Sequence, residues 1–156
     1  MVTFRPVEAT SVAAVAQLTE YFESRELGFT GGVYQVVLPR AEAFEPPRGT
    51  FLVVEGENLA GEPADVGCGG IRDLGNGRFE VKHLYLNPST RGRGYGRLLL
   101  GELESRARAF GATELVLDAN ESLEAAAGLY RSSGFVAIAP YNDNPNATNW
   151  YAKALA

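Results

Sequence analysis

The chain is predicted to be one α/β (α+β) domain, a mixed and mostly antiparallel sheet enclosed by helices on both faces, in the order β-α-β-β-β-α-β-α-β-β. Three observations predict it. Short runs rich in Val, Leu and Phe alternate with clusters of turn residues. Asn76-Gly77 joins two such runs, which is a strong hairpin signal. The segment from about Gly94 to Phe110 repeats apolar residues at helical spacing and is followed by Gly111. With 156 residues and 46% hydrophobic content, the chain has material for one substantial core. No repeat, low-complexity tract or linker divides it, so residues 1–156 are read as a single domain.

Thr3 to Val7 reads as a first strand, and Ala9 to Ser24 as a helix with Val12, Val15, Leu18 and Phe22 on its apolar side. From Gly28 to Pro47 the pattern loosens, with glycines at 28, 31 and 32 and prolines at 39, 46 and 47, which predicts irregular chain or a short helix. Thr50–Glu55, Val66–Leu74 and Arg78–Leu86 then form an antiparallel meander, with a turn through Gly56 to Pro63. The helix over 94–110 buries Leu99, Leu103, Ala107 and Phe110, and Glu114–Asp118 is a strand. Ser122–Ser133 is a helix stopped by Gly134, and Phe135–Ile138 and Asn149–Leu155 close the sheet.

The seven residues Arg91-Gly92-Arg93-Gly94-Tyr95-Gly96-Arg97 stand between a strand-like run ending at Pro88 and a helix-like run entered at Leu98. Glycines on alternate positions leave the backbone bare, so successive N–H groups can close on phosphate oxygens while the helix points its positive end at them. Arg91, Arg93 and Arg97 add mobile positive charge. A Walker A loop ends in Gly-Lys-Ser/Thr, whereas Gly96 is followed here by Arg97 and Leu98. A dinucleotide fingerprint needs G-x-G-x-x-G in an initial βαβ unit, and this loop is G-x-G-x-G well into the chain. A turn whose glycines serve only positive φ stays open as the alternative.

A net charge of −5 and a pI near 4.9 argue against nucleic-acid or anionic-membrane binding, so the arginine cluster reads as a local anion site. Cys68, the only cysteine, has no internal disulfide partner and reads as a buried structural thiol; with His83 the only histidine, no metal-ligand spacing exists. Met1 to Arg5 shows no signal-peptide pattern and no run of about 18 apolar residues occurs, which predicts a soluble protein of a reducing compartment, by default the cytoplasm.

Two ordered blocks carry a family resemblance. The first is the strand Val81-Lys82-His83-Leu84-Tyr85-Leu86-Asn87-Pro88 followed by Arg91-Gly92-Arg93-Gly94-Tyr95-Gly96. The second is Leu115-Val116-Leu117 followed by Leu129-Tyr130-Arg131-Ser132-Ser133-Gly134-Phe135. In order and separation, Lys82 to Gly134 resembles the GCN5-related N-acetyltransferase (GNAT) family, and the tail from Tyr141 to Trp150 resembles a segment of an uncharacterised bacterial subgroup. The resemblance implies the GNAT fold, its sheet splayed where the cofactor enters, with acetyl-CoA as co-substrate; the absence of metal-ligand spacing adds the expectation of no metal. It also implies direct attack of a primary amine on the thioester; dimers are common in the family, so a homodimer is admitted.

Residue roles follow from the resemblance. The amides of Arg93 to Gly96 hold the pyrophosphate, with Arg91, Gly92 and Arg97 completing the cradle, and the backbone of Leu84, Tyr85 and Leu86 pairs with pantetheine as an added strand would. The Leu86 N–H donates to the thioester oxygen. Tyr130 is the general acid for the leaving thiolate, its phenol protonated at neutral pH with a reference pKa of about 10. Glu80 is the first candidate to take the amine's proton, the alternative being a strand charge paired with Lys82 or Arg78. Strict alternation puts His83 on the opposite face from Glu80. Asn120 either caps the next helix or hydrogen-bonds the cofactor, and Leu123 stands where the family commonly has an asparagine.

The acceptor pocket is expected from Phe29 to Pro47 and from the tail Pro140 to Tyr151, with Tyr141, Asp143 and Trp150 as polar or aromatic edges. The leading reading is an acetyl-CoA-dependent N-acetyltransferase acting on a small or amino-acid-like amine. The alternatives are a non-catalytic acyl-CoA-sensing module and an unrelated α/β domain whose loop is only a turn.

Overall fold

The computed structural model describes residues 2–29, 33–120 and 124–155. Among them the element order is the expected one: β1 (Thr3–Val7), α1 (Val12–Gly28), a 3₁₀ turn (Ala41–Phe44), β2 (Gly49–Glu57), β3 (Pro63–Gly75), β4 (Arg78–Leu86), a second 3₁₀ turn (Pro88–Thr90), α2 (Tyr95–Ala109), β5 (Glu114–Ala119), α3 (Glu124–Ser132), β6 (Val136–Ile138) and β7 (Asn149–Ala154). The strands form one sheet in the order β1-β2-β3-β4-β5-β7-β6. Every neighbouring pair is antiparallel except β4 and β5. The expected helix start at Ser122, Leu123 and the glycines at 31 and 32 lie outside the described residues.

Alternation along the central strands divides the interior into two cores. Leu52 and Val54 of β2, Ile71 of β3 and Phe79 and Val81 of β4 pack with Leu99, Leu103 and Ala107 of α2 and with Tyr130 of α3. Phe51, Cys68 and Tyr85 face the other way and pack with Ala14, Leu18 and Phe22 of α1 and with Phe44. Full burial of a side chain such as Leu99 or Leu103 contributes about 1.5–3 kcal/mol. Cys68 is fully buried and its Sγ–H donates to the His83 carbonyl at 3.3 Å.

One helix differs from expectation in detail, and another ends as the sequence predicts. Helix α1 starts three residues later than Ala9, because the Ser11 hydroxyl accepts from the Ala14 N–H and sets the N-cap there. Its buried stripe is Ala14, Leu18 and Phe22, while Val12 and Val15 face solvent. Helix α2 closes at Gly111 (φ 92°): the Gly111 N–H donates to Arg108 C=O and the Ala112 N–H to Ala107 C=O, a Schellman pair.

Two irregularities in the β3–β4 pair position the site. The Asn76-Gly77 loop has positive φ at both residues, as a type I′ turn requires. Just beyond it the register shifts between Asp73 and Gly75, so Arg72 stands opposite Glu80. The second shift lies between Cys68 and Gly70, which pair with Tyr85 and Lys82, and His83 at φ 55° is the bulged residue. The bulge overturns the expected facing of His83. Its ring packs against Phe22 of α1 and Phe44, on the same side of the sheet as Glu80 and Lys82.

The close strand spacing allows no side chain at Gly67, where a Cβ would run into the Tyr85 carbonyl oxygen. Gly101, on the exposed face of α2, has open space around it. Gly67→Ala should destabilise the domain by about 1–3 kcal/mol in urea unfolding, whereas Gly101→Ala should stabilise it by about 0.5–1 kcal/mol.

Candidate active site

Strands β4 and β5 are paired only through Arg78–Glu114, Phe79–Leu115 and Glu80–Val116. Beyond Glu80 they part, although β4 runs on to Leu86 and β5 to Ala119. On its other side β4 stays bound to β3, where the Asn87 N–H donates to Val66 C=O at 2.8 Å. Antiparallel ladders turn alternate residues toward the partner, so the Leu86 N–H points away from β3, toward the parted edge. The Leu84 carbonyl already accepts from Arg25 Nη2 at 3.1 Å, which leaves it one lone pair for another donor.

At the end of β4 the chain turns into α2. Gly92 and Gly94 have φ of 80° and 75°, and a Cβ on either would meet nothing within 4 Å. The first intrahelical bond runs from the Leu98 N–H to Gly94 C=O, so the amides of Gly94, Tyr95, Gly96 and Arg97 precede the helical ladder. The expected cradle is corrected in three places. The Arg93 N–H donates to Thr90 C=O, inside the turn. Arg93 and Arg97 are tethered rather than mobile: Arg93 Nη1 donates to Glu57 C=O at 2.9 Å, and Arg97 Nη2 to Ser132 Oγ at 3.0 Å. The Tyr95 side chain is buried against Gly56, so only its backbone faces the turn. Gly96 serves packing as well, since a Cβ there would press on Leu129 at 3.1 Å. Arg91 is exposed.

Where the strands part, a cavity of about 400 Å³ opens between α1, β4, β5, α3 and the tail. Tyr130 lines it, buried and braced by Phe135 and Tyr151 at ring separations of 6.1 and 5.6 Å. The Phe135 N–H donates to Tyr130 C=O across Gly134 (φ 94°), so the cap of α3 fixes the tyrosine's turn. Burial pushes the Tyr130 phenol well above its ordinary value. His83 lines the same cavity, caged by Tyr21, Phe22 and Phe44 at 5.5, 5.8 and 6.0 Å, with Nδ1 buried and lacking a hydrogen-bond partner among the described residues. Burial first, then the charges of Lys82 and Arg72, lowers its pKa to about 3.

Glu80 stands apart from this cavity lining and borders an adjoining depression with Arg72, Arg78 and Tyr141. Its fully buried carboxylate accepts from Arg72 at 2.7 Å, Tyr141 Oη at 2.6 Å and Asn142 Nδ2 at 3.5 Å. Of the two expected partners, Lys82 is present at ion-pair distance, 3.8 Å, whereas Arg78 pairs with Glu114. Asp118 does line the cavity, accepting from Lys82 Nζ at 3.3 Å and Asn142 Nδ2 at 2.7 Å.

The tail is stitched over the cavity. Trp150 Nε1 donates to Asn142 Oδ1 at 2.9 Å, Asn120 Nδ2 to Asn146 C=O at 3.0 Å, and Gln35 and Asn146 exchange two hydrogen bonds of 3.0 and 2.7 Å. Both segments expected to shape the pocket therefore meet there. Of the expected edges, Asp143 is exposed, while Tyr141 and Trp150 act through Glu80 and Asn142. Capping by Asn120 concerns residues outside those described. Sequence reasoning passed over Arg25, Asp118 and Asn142, whose only signal is their place in segments flanking the splay.

The site is thus a parallel strand pair that parts beside a helix N-terminus, above a partly open cavity. The model of the acetyltransferase (GNAT) family matches residues 15–135, and the chain belongs to that family. It is 35% identical over 103 residues to an uncharacterized N-acetyltransferase of Schizosaccharomyces pombe, an overlap of 65% of this chain and 61% of that relative. The chain thus spans about three-fifths of that curated relative's length. Among solved structures, one from Klebsiella pneumoniae assigned as an acyl-CoA N-acyltransferase aligns over 100% of this chain and 99% of its own, with TM-score 0.75 and 27% identity. A GNAT family acetyltransferase from Elizabethkingia anophelis with acetyl-CoA bound aligns over 99% and 98%, with TM-score 0.66 and 16% identity, and shares the fold.

His83 is neutral in the folded protein down to about pH 3, whereas in the unfolded chain it takes up a proton below about pH 6.5. Between those values the unfolded state binds the extra proton, so stability is lost as the pH falls. The urea-unfolding free energy should drop by about 2 kcal/mol from pH 6.5 to 5 on this account, and His83→Asn, which tolerates positive φ, should flatten that slope.

Proposed function

We propose that the protein is an acetyl-CoA-dependent N-acetyltransferase that passes an acetyl group to the primary amine of a small-molecule or amino-acid-like acceptor by direct attack. The observation that carries this reading is the parting of β4 and β5 between the N-terminus of α2 and the cavity lined by Tyr130. Membership of the GNAT family supports it, as does the acetyl-CoA in the related E. anophelis structure. The amides of Gly94 to Arg97 would bind the pyrophosphate, beside the charge of Arg91. The outward-turned backbone of β4 would pair with the pantetheine amides, and the Leu86 N–H would hold the thioester oxygen as it gains charge. The lone buried Cys68 fits a reducing compartment such as the cytoplasm.

In the reaction the amine nitrogen bonds to the thioester carbon, the carbon–sulfur bond breaks, and the thiolate takes the Tyr130 proton. The nitrogen's surplus proton must go to a base. Glu80, the first candidate by sequence, is outside the cavity lining and holds Arg72, Tyr141 and Asn142. We therefore assign Glu80 a positioning role and the proton to Asp118, directly or through water.

Acetyl-CoA at a hundred times its dissociation constant should stabilise the protein by about 2.7 kcal/mol, a rise of several degrees in Tm. Tyr130→Phe should retain that shift while kcat for thiol release falls about 100-fold. Loss of the shift along with turnover would remove Tyr130 from the acid role, and a shift without thiol release against any amine would assign the protein to acyl-CoA sensing.

Asp118→Asn should lower kcat/KM most near neutral pH and least in alkaline buffer, where the amine arrives deprotonated. Glu80→Gln should instead show itself in unfolding, costing about 3 kcal/mol by leaving Arg72 unpaired. The reverse pattern would return the base to Glu80.

A further inference from the structure

Arg25 sits in the last turn of α1, and its guanidinium forms part of the cavity wall. The Leu84 carbonyl accepts one of its N–H groups at 3.1 Å, and its Cζ lies over the Tyr21 ring, 4.7 Å from the centroid. The other cations of the lining each face a carboxylate: Arg72 meets Glu80 at 2.7 Å, Lys82 meets Asp118 at 3.3 Å, and Arg40 meets Glu42 at 3.3 Å. Arg25 alone among them has no carboxylate at ion-pair distance among the described residues. On a chain with a net charge of −5, the cavity thus keeps one unneutralised positive charge.

A guanidinium presents five N–H donors in a planar fork, and the Leu84 carbonyl uses one. The carbonyl and the tyrosine face hold the fork in place, so little side-chain freedom is lost when a planar, two-oxygen anion docks. Partial enclosure strengthens that pairing relative to open water. The Tyr21 ring under the guanidinium continues through Phe22 to Tyr34, and all three line the same cavity.

We propose that the acceptor is an amino acid, its carboxylate bound by Arg25 and its side chain received by the wall of Tyr21, Phe22 and Tyr34. This rests on the acetyltransferase reading and narrows it. Carboxylate capture on the α1 side would leave the amine free to reach toward β4 and β5, where the Leu86 N–H and Tyr130 are assigned.

The test uses matched acceptors: the common L-amino acids and the amines left when each loses its carboxylate, with thiol release from acetyl-CoA as the readout. At least one amino acid should be acetylated with kcat/KM about 10-fold or more above its decarboxylated partner. In Arg25→Gln that ratio should fall to about 1, and Arg25→Lys, which keeps the charge and loses the fork, should restore part of it. Turnover of amines but of no amino acid would overturn the proposal while leaving the acetyltransferase reading intact. So would an equal loss on both members of a pair, since a helix tether alone would not alter the ratio. Absence of any acetyl-CoA-induced Tm shift would remove the acetyltransferase reading and this inference together.

Discussion

Backbone N–H and C=O groups inside a protein have to be paired, and β4 cannot pair with β5 beyond Glu80. The protein meets this constraint partly with side chains. Cys68 donates to the His83 carbonyl and Arg25 to the Leu84 carbonyl, so the bulged stretch of β4 is supported by groups from β3 and α1 in place of a neighbouring strand. The remaining outward groups, including the Leu86 N–H, face the opening. A strand edge of this kind suits an amide-bearing chain, which brings its own donors and acceptors at the right spacing. The bulge contributes to the geometry as well, because an extra residue bends a strand and increases its twist. Phe79 and Leu115 meanwhile keep the paired end of β4 and β5 in the core.

The second organising feature is the buried Glu80 carboxylate. Removing a charge from water is costly, and the site offsets that cost with Arg72, the Tyr141 hydroxyl and the Asn142 amide. Two of those three partners belong to the tail. Asn142 also donates to Asp118 and accepts from Trp150, so one side chain joins β4, β5 and β7. Through Asn146 the tail then holds Gln35, on the segment after α1. The roof of the cavity is thus anchored to a charge in the sheet, and segments lacking regular structure acquire a fixed position over the site.

Much of the fold was legible in the sequence for identifiable reasons. Asn76-Gly77 permits a narrow class of turns, Gly111 and Gly134 stop helices through conformations that disfavour side chains, and the core faces of α2 and the strands obey their periods. The glycine turn before α2 was legible because only a bare backbone opens there. What escaped were features set by register. Counting outward from a two-residue hairpin would pair Asp73 with Glu80, two like charges; the shift between Asp73 and Gly75 brings Arg72 there instead. Likewise a period of two assigns His83 to the wrong face, and nothing in Lys82-His83-Leu84 marks the residue that breaks it. In α1 the apolar Val12 and Val15 read as core, but the Ser11 cap and the small Ala14 set the face that packs.

Both irregularities act on one face of one strand, and this links them to the chemistry. The first turns Glu80 into a neutralised, buried anchor, which leaves Asp118 as the carboxylate exposed to the cavity. The second brings His83 into the same cavity as a neutral ring, since burial among aromatic rings beside Lys82 and Arg72 disfavours its protonation. With Arg72 and Lys82 each matched to a carboxylate and His83 uncharged, Arg25 is the cation of the cavity lining that has no carboxylate at ion-pair distance among the described residues. The carboxylates of Glu80 and Asp118 are taken up by Arg72 and Lys82. A regular hairpin would have set Asp73 against Glu80 and scattered that balance, so the matching of charges around the cavity depends on the sheet's departures from regularity.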